Sequence, residues 1–192
     1  MSNDLPYIHA CLSNADVMLA AIVGIMRHVQ DHQRGYNDRN QADVDLADWQ
    51  KDIEGALGEL VVSRVLGIPW TGRIGTTGGG DVGPFGVRTR PKHEWDMIIQ
   101  PWDDDNRPMI CVTGLNGVYR IWGWIYAEEG KRDEWFIDRT GQGRHCYYVP
   151  KEHLSPNLLE LFDTAAWWEW AGQRDANLDK LSEVAMLRLG KD

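Results

Sequence analysis

Residues 52–90 read DIEGALGELVVSRVLGIPWTGRIGTTGGGDVGPFGVRTR, and they contain the clearest local signals of secondary structure in the chain. Apolar residues recur at helical spacing from about Leu46 to Leu66, and the Gly67 that follows is typical of a helix C-terminus. A connection rich in Gly and Thr, residues 71–80, then leads into a predicted strand, Phe85–Arg90. The pattern therefore predicts a helix, a glycine-rich connection and a strand, in that order.

Three side chains of this stretch form a candidate site for phosphate chemistry. Glu59 lies on the predicted helix, Asp81 precedes the strand and Arg88 lies on it. Carboxylates are the hard oxygen ligands that hold Mg²⁺ or Mn²⁺, and the bound metal lowers the pKa of a water and neutralises charge on a phosphate. A nearby cation stabilises the transition state. We therefore expect Glu59 and Asp81 to bind metal and Arg88 to engage the phosphate.

Each of these residues also has a structural alternative. Glu59 is able to form a buried ion pair, for example with Arg88, and such a pair is as readily structural as functional. Asp81 follows three glycines and is of a type that fixes turns. Arg88 and Arg90 lie on one face of the strand, which is also the pattern of a solvated face. Both sets of roles stay open at this level.

The glycines of the predicted helix carry separate information. Gly55 and Gly58 each lower the helix propensity by about 1 kcal/mol relative to Ala. We therefore expect another part of the backbone to approach the helix closely at these two positions.

The remaining chain supplies elements around this core. An N-terminal helix is expected at Asn14–Gln30, and C-terminal helices at Pro156–Trp170 and Ala176–Leu189, separated at Gly172. The apolar stripe expected to face the core from the first helix comprises Val17, Met18, Ala21, Ile22, Ile25 and Met26. The further predicted strands are Glu94–Gln100, Pro108–Thr113, Val118–Tyr126 and His145–Val149.

These elements predict a mixed α+β protein of the α/β type. The expected architecture is a mostly antiparallel sheet of four to five strands with a packed helix, an N-terminal helix and C-terminal helices. A chain of 192 residues suits one domain, residues 1–192, with a core at about 46–150 and a helical extension at about 156–190.

Composition excludes some classes of protein. The net charge of −9 argues against a protein that coats nucleic acid, but not against a nuclease that binds phosphate through a metal. The three cysteines form no C-x-x-C pair, which indicates a reducing cytoplasm and no zinc site. No export signal and no apolar run of about 18 residues is present, so we expect a cytoplasmic protein without a membrane partner.

The sequence also resembles a known superfamily. GALGELVVSRVLG followed by GGGDVGPFGVRT is similar to the PD-(D/E)XK nucleases, whose fold is that of the restriction endonucleases. Glu59 matches the helix Glu of that pattern, Asp81 matches its Asp, and 86–88 occupy the acid–x–Lys triplet as Gly, Val and Arg. The resemblance implies that the backbone carbonyl of Val87 is a further metal ligand. DVGPFGVRT, GWIYAEEGKRDEW and YVPKEHLSP more narrowly resemble small bacteriophage proteins of this superfamily.

Two functions follow from these observations. In the first, the chain is a Mg²⁺- or Mn²⁺-dependent nuclease acting on DNA in the host cytoplasm, with Glu59, Asp81 and Arg88 as its site. In the second, the same fold lacks catalysis and binds nucleic acid or a host or phage protein, as Gly86 and the net charge suggest. Trp122, Trp124 and Trp135 are candidates for a surface that stacks on bases, with a tryptophan-rich core as the alternative.

Overall fold

The computed structural model describes residues 5–35, 47–75, 79–139, 141 and 143–189, with side chains described up to residue 177. The chain divides into two compact units, Met1–Leu158 and Leu159–Asp192. The elements of the first unit are β1 Ile8–Cys11, α1 Asn14–Gln33, α2 Asp48–Leu66, β2 Gly86–Arg90, β3 Met97–Ile99, β4 Pro108–Leu115, β5 Val118–Tyr126, α3 Ala127–Gly130, β6 Phe136–Ile137 and β7 Cys146–Val149. The second unit contains α4 Ala165–Leu189. The mixed α and β content is as predicted.

The strands of the described chain form two sheets. The larger has the order β1-β5-β4-β2 and the smaller has the order β3-β7-β6. In the larger sheet β2 runs parallel to β4, while the other pairs are antiparallel. The prediction of one mostly antiparallel sheet is therefore corrected to a mixed sheet beside a small antiparallel one. The physical reason is the path of the chain, which passes through β3 in the other sheet before it returns as β4.

Two of these strands were not expected from the pattern. β1 has four residues and β6 has two, so neither is long enough for the alternation of a strand to stand out. β3 is also shorter than the predicted Glu94–Gln100 and covers Met97–Ile99.

Helix α2 forms as predicted and covers one face of the larger sheet. It ends at Gly67 in the left-handed conformation, with φ of 68°. Its predicted first residue, Leu46, lies outside the described residues. Gly58 packs on Thr89 of β2, because a Cβ on Gly58 would lie 1.8 Å from Thr89 Oγ1. Tyr119 of β5 donates a hydrogen bond of 2.5 Å to Glu54 of the same helix.

The opposite face of the larger sheet is covered over part of its area. Met109 and Cys111 of β4 lie in a buried cluster with Met97 and Ile99 of β3. Strand alternation places Thr113 on the same face of β4 as these two residues. The small sheet therefore covers the part of this face near Met109, and Thr113 lies outside that buried cluster.

Helix α1 packs on α2 through its small residues, which overturns the predicted core-facing stripe. Ala20 and Gly24 are buried, and a Cβ on Gly24 would lie 2.4 Å from the Cα of Ile53. Of the predicted stripe, Met18, Ile22, Ile25 and Met26 are exposed. The reason is that small side chains permit the closest approach of two helices, so the large apolar ones point away.

The C-terminal unit also differs from the prediction. A short 3-10 segment at Leu158–Asp163 precedes α4, which continues through Gly172 without the predicted break. A glycine inside a helix costs about 1 kcal/mol, which a helix of this length tolerates. Trp167 contacts Phe162 and Trp170, with ring centroids 4.7 Å and 5.2 Å apart. None of the described helices is long and apolar enough to cross a membrane.

Candidate functional site

The predicted site begins with Glu59, which is buried on α2 and fully engaged. Arg27 of α1 donates two hydrogen bonds to its carboxylate, with lengths of 2.6 Å and 2.8 Å. The indole N–H of Trp70 donates a third, to Glu59 Oε2 at 3.0 Å. The buried partner of Glu59 is therefore Arg27, not Arg88.

The electrostatics of Glu59 also place Asp81 nearby. Burial raises the pKa of the Glu59 carboxyl, Arg27 opposes that rise, and the charge of Asp81 adds to it. Burial acts to lower the pKa of the Arg27 guanidinium, but the attraction of Glu59 and Asp81 outweighs it and the pKa is raised. The structure thus brings Glu59 and Asp81 within electrostatic range of one another and of one shared arginine.

Asp81 itself fixes the turn that leads into β2. Its carboxylate accepts the backbone N–H of Val87 at 2.7 Å, and its own N–H donates to the carbonyl of Phe85 at 2.7 Å. The structural alternative for Asp81, the fixing of a turn, is therefore seen directly.

Arg88 lies away from these two carboxylates. Its neighbour Thr89 faces α2, so strand alternation puts Arg88 on the opposite face of β2. There its guanidinium donates to both carboxylate oxygens of Asp103, at 2.6 Å and 2.7 Å. The structure does not bring Arg88 together with Glu59.

A side chain at the acid position of the superfamily pattern would require Met109 to move. A Cβ on Gly86 would lie 2.5 Å from Met109 Sδ. The carbonyl of Val87 lies 3.4 Å from Arg88 Nη1. Among the described residues no group of three or more His, Cys, Asp or Glu side chains is placed to share a metal ion. With both Glu59 oxygens bound to Arg27, the donors fit Mg²⁺ or Mn²⁺ poorly, and metal binding by Glu59, Asp81 and Val87 stays a prediction.

A different set of side chains converges on the uncovered part of the larger sheet. The strand register aligns His9 of β1 with Arg120 of β5, Arg120 with Thr113 of β4, and Thr113 with Arg90 of β2. Partners in register share a face, so these residues form one row across all four strands. We call this row and the aromatic residues beside it the basic aromatic face; it also includes Tyr7, Lys92, His93, Trp95, Trp122 and Lys151.

Two aromatic rings of this face contact each other and two cations. The rings of Tyr7 and Trp122 have centroids 5.1 Å apart. The guanidinium of Arg120 lies 4.4 Å from the Tyr7 ring, and the ammonium of Lys151 lies 5.1 Å from the Trp122 ring. Tyr7 is 42% exposed, whereas Trp122 is half-buried and packs against the core cluster, so the Tyr7 side of this pair faces solvent.

A second cluster lies at the β2 end of the row. The guanidinium of Arg90 and the ammonium of Lys92 lie 4.6 Å and 4.9 Å from the ring of Trp95. Cations layered on aromatic rings thus occur at both ends of the face, which makes it rich in the two groups that bind a polyanion with planar bases.

The buried Thr113 holds the centre of the face in place. Its hydroxyl oxygen accepts the indole N–H of Trp122 at 2.6 Å, and His93 Nδ1 lies 2.8 Å from the same oxygen. Since an indole N–H only donates, the hydroxyl proton is free to donate to His93, which requires the neutral imidazole. Trp122 and His93 are therefore oriented by one hydroxyl.

The titration of His93 reports the positive charge of this face. Burial lowers the pKa of His93, and the charges of Arg120, Lys151 and His9 lower it further, while Glu94 opposes the shift. Arg120 and Lys151 thus place positive charge beside His93, although the whole chain carries a net charge of −9.

Of the residues of this face, the sequence pointed to Trp122 alone as a candidate for binding. Trp124 and Trp135 are buried, as the alternative of a tryptophan-rich core predicts, whereas Trp122 is half-buried beside Arg120. The signal in the sequence is the alternation Arg120-x-Trp122 on a strand, which places a cation and a ring on the same face. His9, Arg90 and Lys151 join them only through the fold.

Comparison with family models, with curated proteins and with solved structures gave no match to this chain.

Proposed function

We propose that this protein binds single-stranded nucleic acid on the basic aromatic face. The observation that carries the proposal is the layering of Arg120 and Lys151 on Tyr7 and Trp122, in a row of strand partners that also contains Arg90. Binding to single strands combines a positive surface that follows the phosphates with aromatic rings on which unpaired bases stack. This is the binding-module alternative of the sequence analysis, with its surface now specified.

The spacing of the row suits a strand that runs across the sheet. Neighbouring strands lie about 4.8 Å apart, so Arg120 and Arg90, two strands apart, are separated by about 10 Å at the backbone. Their long side chains reach further in either direction, and the rings of Trp122 and Trp95 lie near the two cations. On binding, each cation moves from a ring to a phosphate, and a base takes its place.

Unpaired bases are favoured over a duplex by the shape of the surface. The face is the open part of a sheet, and a duplex is read by an element that enters one of its grooves. Stacking on Tyr7 and Trp122 requires bases whose faces are free, which only a single strand offers.

The test is fluorescence anisotropy of a labelled single-stranded oligonucleotide with Trp122→Ala, and with Trp102→Ala as the matched control. Trp102 is 73% exposed and lies outside the face, so its loss removes a tryptophan without touching the surface. One lost base–aromatic stack contributes about 1–3 kcal/mol, which raises the dissociation constant roughly 5- to 150-fold. Trp102→Ala leaves it unchanged.

The contribution of the cations is tested by measuring the binding constant at several salt concentrations. If Arg120, Lys151 and Arg90 each contact one phosphate, the logarithm of the binding constant falls with the logarithm of salt at a slope of about −2. Arg120→Gln lowers that slope by about 0.7. The proposal is wrong if no oligonucleotide binds at low salt, or if Trp102→Ala weakens binding as much as Trp122→Ala does.

A nuclease of the PD-(D/E)XK type, related to bacteriophage proteins and acting on DNA in the host cytoplasm, is a second proposal. It is favoured by the charge of Asp81, which acts on the Glu59 carboxyl and adds to the rise of its pKa. Incubation of DNA with protein and Mg²⁺ or Mn²⁺ tests it, with Glu59→Gln and Asp81→Asn as variants. The nuclease proposal is supported if the wild type cleaves DNA and both variants do not. It is wrong if both variants still cleave, or if the wild type does not cleave.

A further inference from the structure

The outer surface of α1 is an apolar stripe in the described structure. Six large side chains of this helix are between 43% and 67% exposed. They are Met18, Leu19, Ile22, Ile25, Met26 and Val29. Scattered exposed apolar residues are normal, but a contiguous set of this kind on one helix marks an interaction surface.

The charged residues of the same helix are turned away from the stripe. Asp16 pairs with Arg64, Arg27 with Glu59, and His28 Nδ1 lies 3.0 Å from Asp52 Oδ2, all of them partners on α2. A helix that packed only on its own domain would show the reverse arrangement, with apolar residues inside and charges outside. The stripe is therefore a specific feature of α1, not a consequence of a generally apolar helix.

The spacing of the stripe is that of a helix–helix seam. Met18, Ile22, Ile25 and Val29 follow one another at intervals of four, three and four residues. This is the heptad spacing at which apolar side chains of one helix insert between those of another. Leu19 and Met26 lie beside the seam, seven residues apart, and widen it on one side.

The size of the stripe meets the minimum for a specific dimer interface. Six half-exposed side chains of this size present roughly 500–600 Å², which is at the upper end of apolar patches on monomers. Two copies facing each other would bury about 1,100 Å², above the roughly 1,000 Å² that a specific interface requires. A membrane surface fits less well, because helices that lie on membranes carry Lys and Arg beside their apolar face.

We propose that two copies of this chain associate through α1, with the seam of one copy packed on the seam of the other about a two-fold axis. Such an interface uses the same patch on both copies, so one stripe suffices. This inference is independent of the nucleic-acid proposal, because it involves none of the residues of the basic aromatic face.

The experiment measures the mass of the full-length chain by sedimentation equilibrium from low to high micromolar concentration. The wild type is expected at twice the monomer mass of 21.9 kDa. Ile22→Asp, and separately Met18→Lys, place a charge in the seam and raise the dimer dissociation constant by at least about 100-fold. Both positions are exposed in the monomer, so the circular dichroism spectra remain those of the wild type.

Trp102→Asp is the matched control, because it puts the same charge at another exposed apolar side chain. It is expected to leave the dimer intact. A wild type that is monomeric throughout the concentration range overturns the proposal. So does a dimer that Ile22→Asp and Met18→Lys leave intact, or that Trp102→Asp dissociates equally well.

Discussion

Two glycines of α2, three residues apart, have opposite surroundings. A Cβ on Gly55 would meet no atom within 4 Å, whereas a Cβ on Gly58 would meet Thr89 Oγ1 at 1.8 Å and Thr89 Cγ2 at 2.9 Å. The same substitution, Gly→Ala, should therefore change the stability in opposite directions. The sequence predicted that another part of the backbone approaches both glycines closely. The structure shows a close contact at Gly58 alone, and the side chain of Thr89 makes it, so the prediction of a backbone approach is wrong.

The magnitudes follow from helix propensity and from packing. Gly55→Ala gains about 1 kcal/mol because alanine favours the helix and nothing obstructs it, which raises the melting temperature by about 2–4 °C. Gly58→Ala gains the same propensity but overpacks the contact with Thr89, at a cost of about 1–3 kcal/mol. We expect a net loss of about 1 kcal/mol, and hence a difference between the two variants of about 2 kcal/mol.

Thr89→Ala supplies the second half of the test. The new methyl group of Gly58→Ala would overlap with Oγ1, Cγ2 and Cβ of Thr89, and Thr89→Ala removes the first two of these atoms. Oγ1 is buried and has no hydrogen-bond partner among the described residues, so its loss forfeits no hydrogen bond. The effect of Thr89→Ala on the free energy of unfolding should therefore be about 1 kcal/mol more favourable in the Gly58→Ala variant than in the wild type.

The assay is urea unfolding followed by far-ultraviolet circular dichroism. It compares Gly55→Ala, Gly58→Ala, Thr89→Ala and the double variant, with one common value for the dependence of the free energy of unfolding on urea concentration. Gly55→Ala serves as the control for helix propensity. A Gly58→Ala variant as stable as Gly55→Ala would show that Thr89 does not oppose the new methyl group. The same would follow if Thr89→Ala had equal effects with and without Gly58→Ala.

Two further predictions concern buried groups. Arg27→Met leaves the buried carboxylate of Glu59 without its ion pair and should lower the free energy of unfolding by about 3–5 kcal/mol. The double variant Arg27→Met, Glu59→Leu should lose much less of that free energy, because no buried charge is left unpaired. Urea unfolding measures both, and equal losses would contradict this account. Burial raises the pKa of the Cys111 thiol to about 12, so at pH 8 only about one molecule in 10⁴ carries the reactive thiolate. Iodoacetamide followed by peptide mass mapping should therefore modify the exposed Cys11 and spare Cys111 until the protein unfolds, and early labelling of Cys111 in the native protein would count against its burial.

The central helix and strand were predictable because their signals are local. Helical spacing ended by Gly67, and a strand after a glycine-rich connection, are properties of neighbouring residues. Arg64 of α2, by contrast, pairs with Asp16 of α1, 48 residues away. A partner at that distance leaves no periodic trace in the sequence.

The orientation of α1 was not predictable from its apolar pattern. Its sequence offers two faces, one of large apolar residues and one of small residues such as Ala20 and Gly24. Periodicity locates faces but does not say which one is buried. The choice is made by Ile53 on α2, whose backbone needs the space that Gly24 leaves.

The candidate sites show the same limit. Glu59 was located correctly on its helix, but its partner Arg27 comes from the other helix and could not be read from spacing. Arg88 was placed with Glu59 because both belong to one stretch, yet its neighbour Thr89 takes the face toward α2. The row of His9, Arg120 and Arg90 exists only because three strand registers coincide.

The net charge of −9 bears on how the basic aromatic face would act. A polyanion is repelled by the chain as a whole and attracted only where cations and rings coincide, so general electrostatic affinity contributes little. Binding to this chain then depends strongly on stacking at Trp122. In a protein of positive net charge, by contrast, phosphate contacts alone sustain weak binding. The rise in the dissociation constant caused by Trp122→Ala should therefore lie near the upper end of the range expected for one lost stack. Lys residues added elsewhere on the surface should restore binding to the Trp122→Ala variant, but not its preference for single strands.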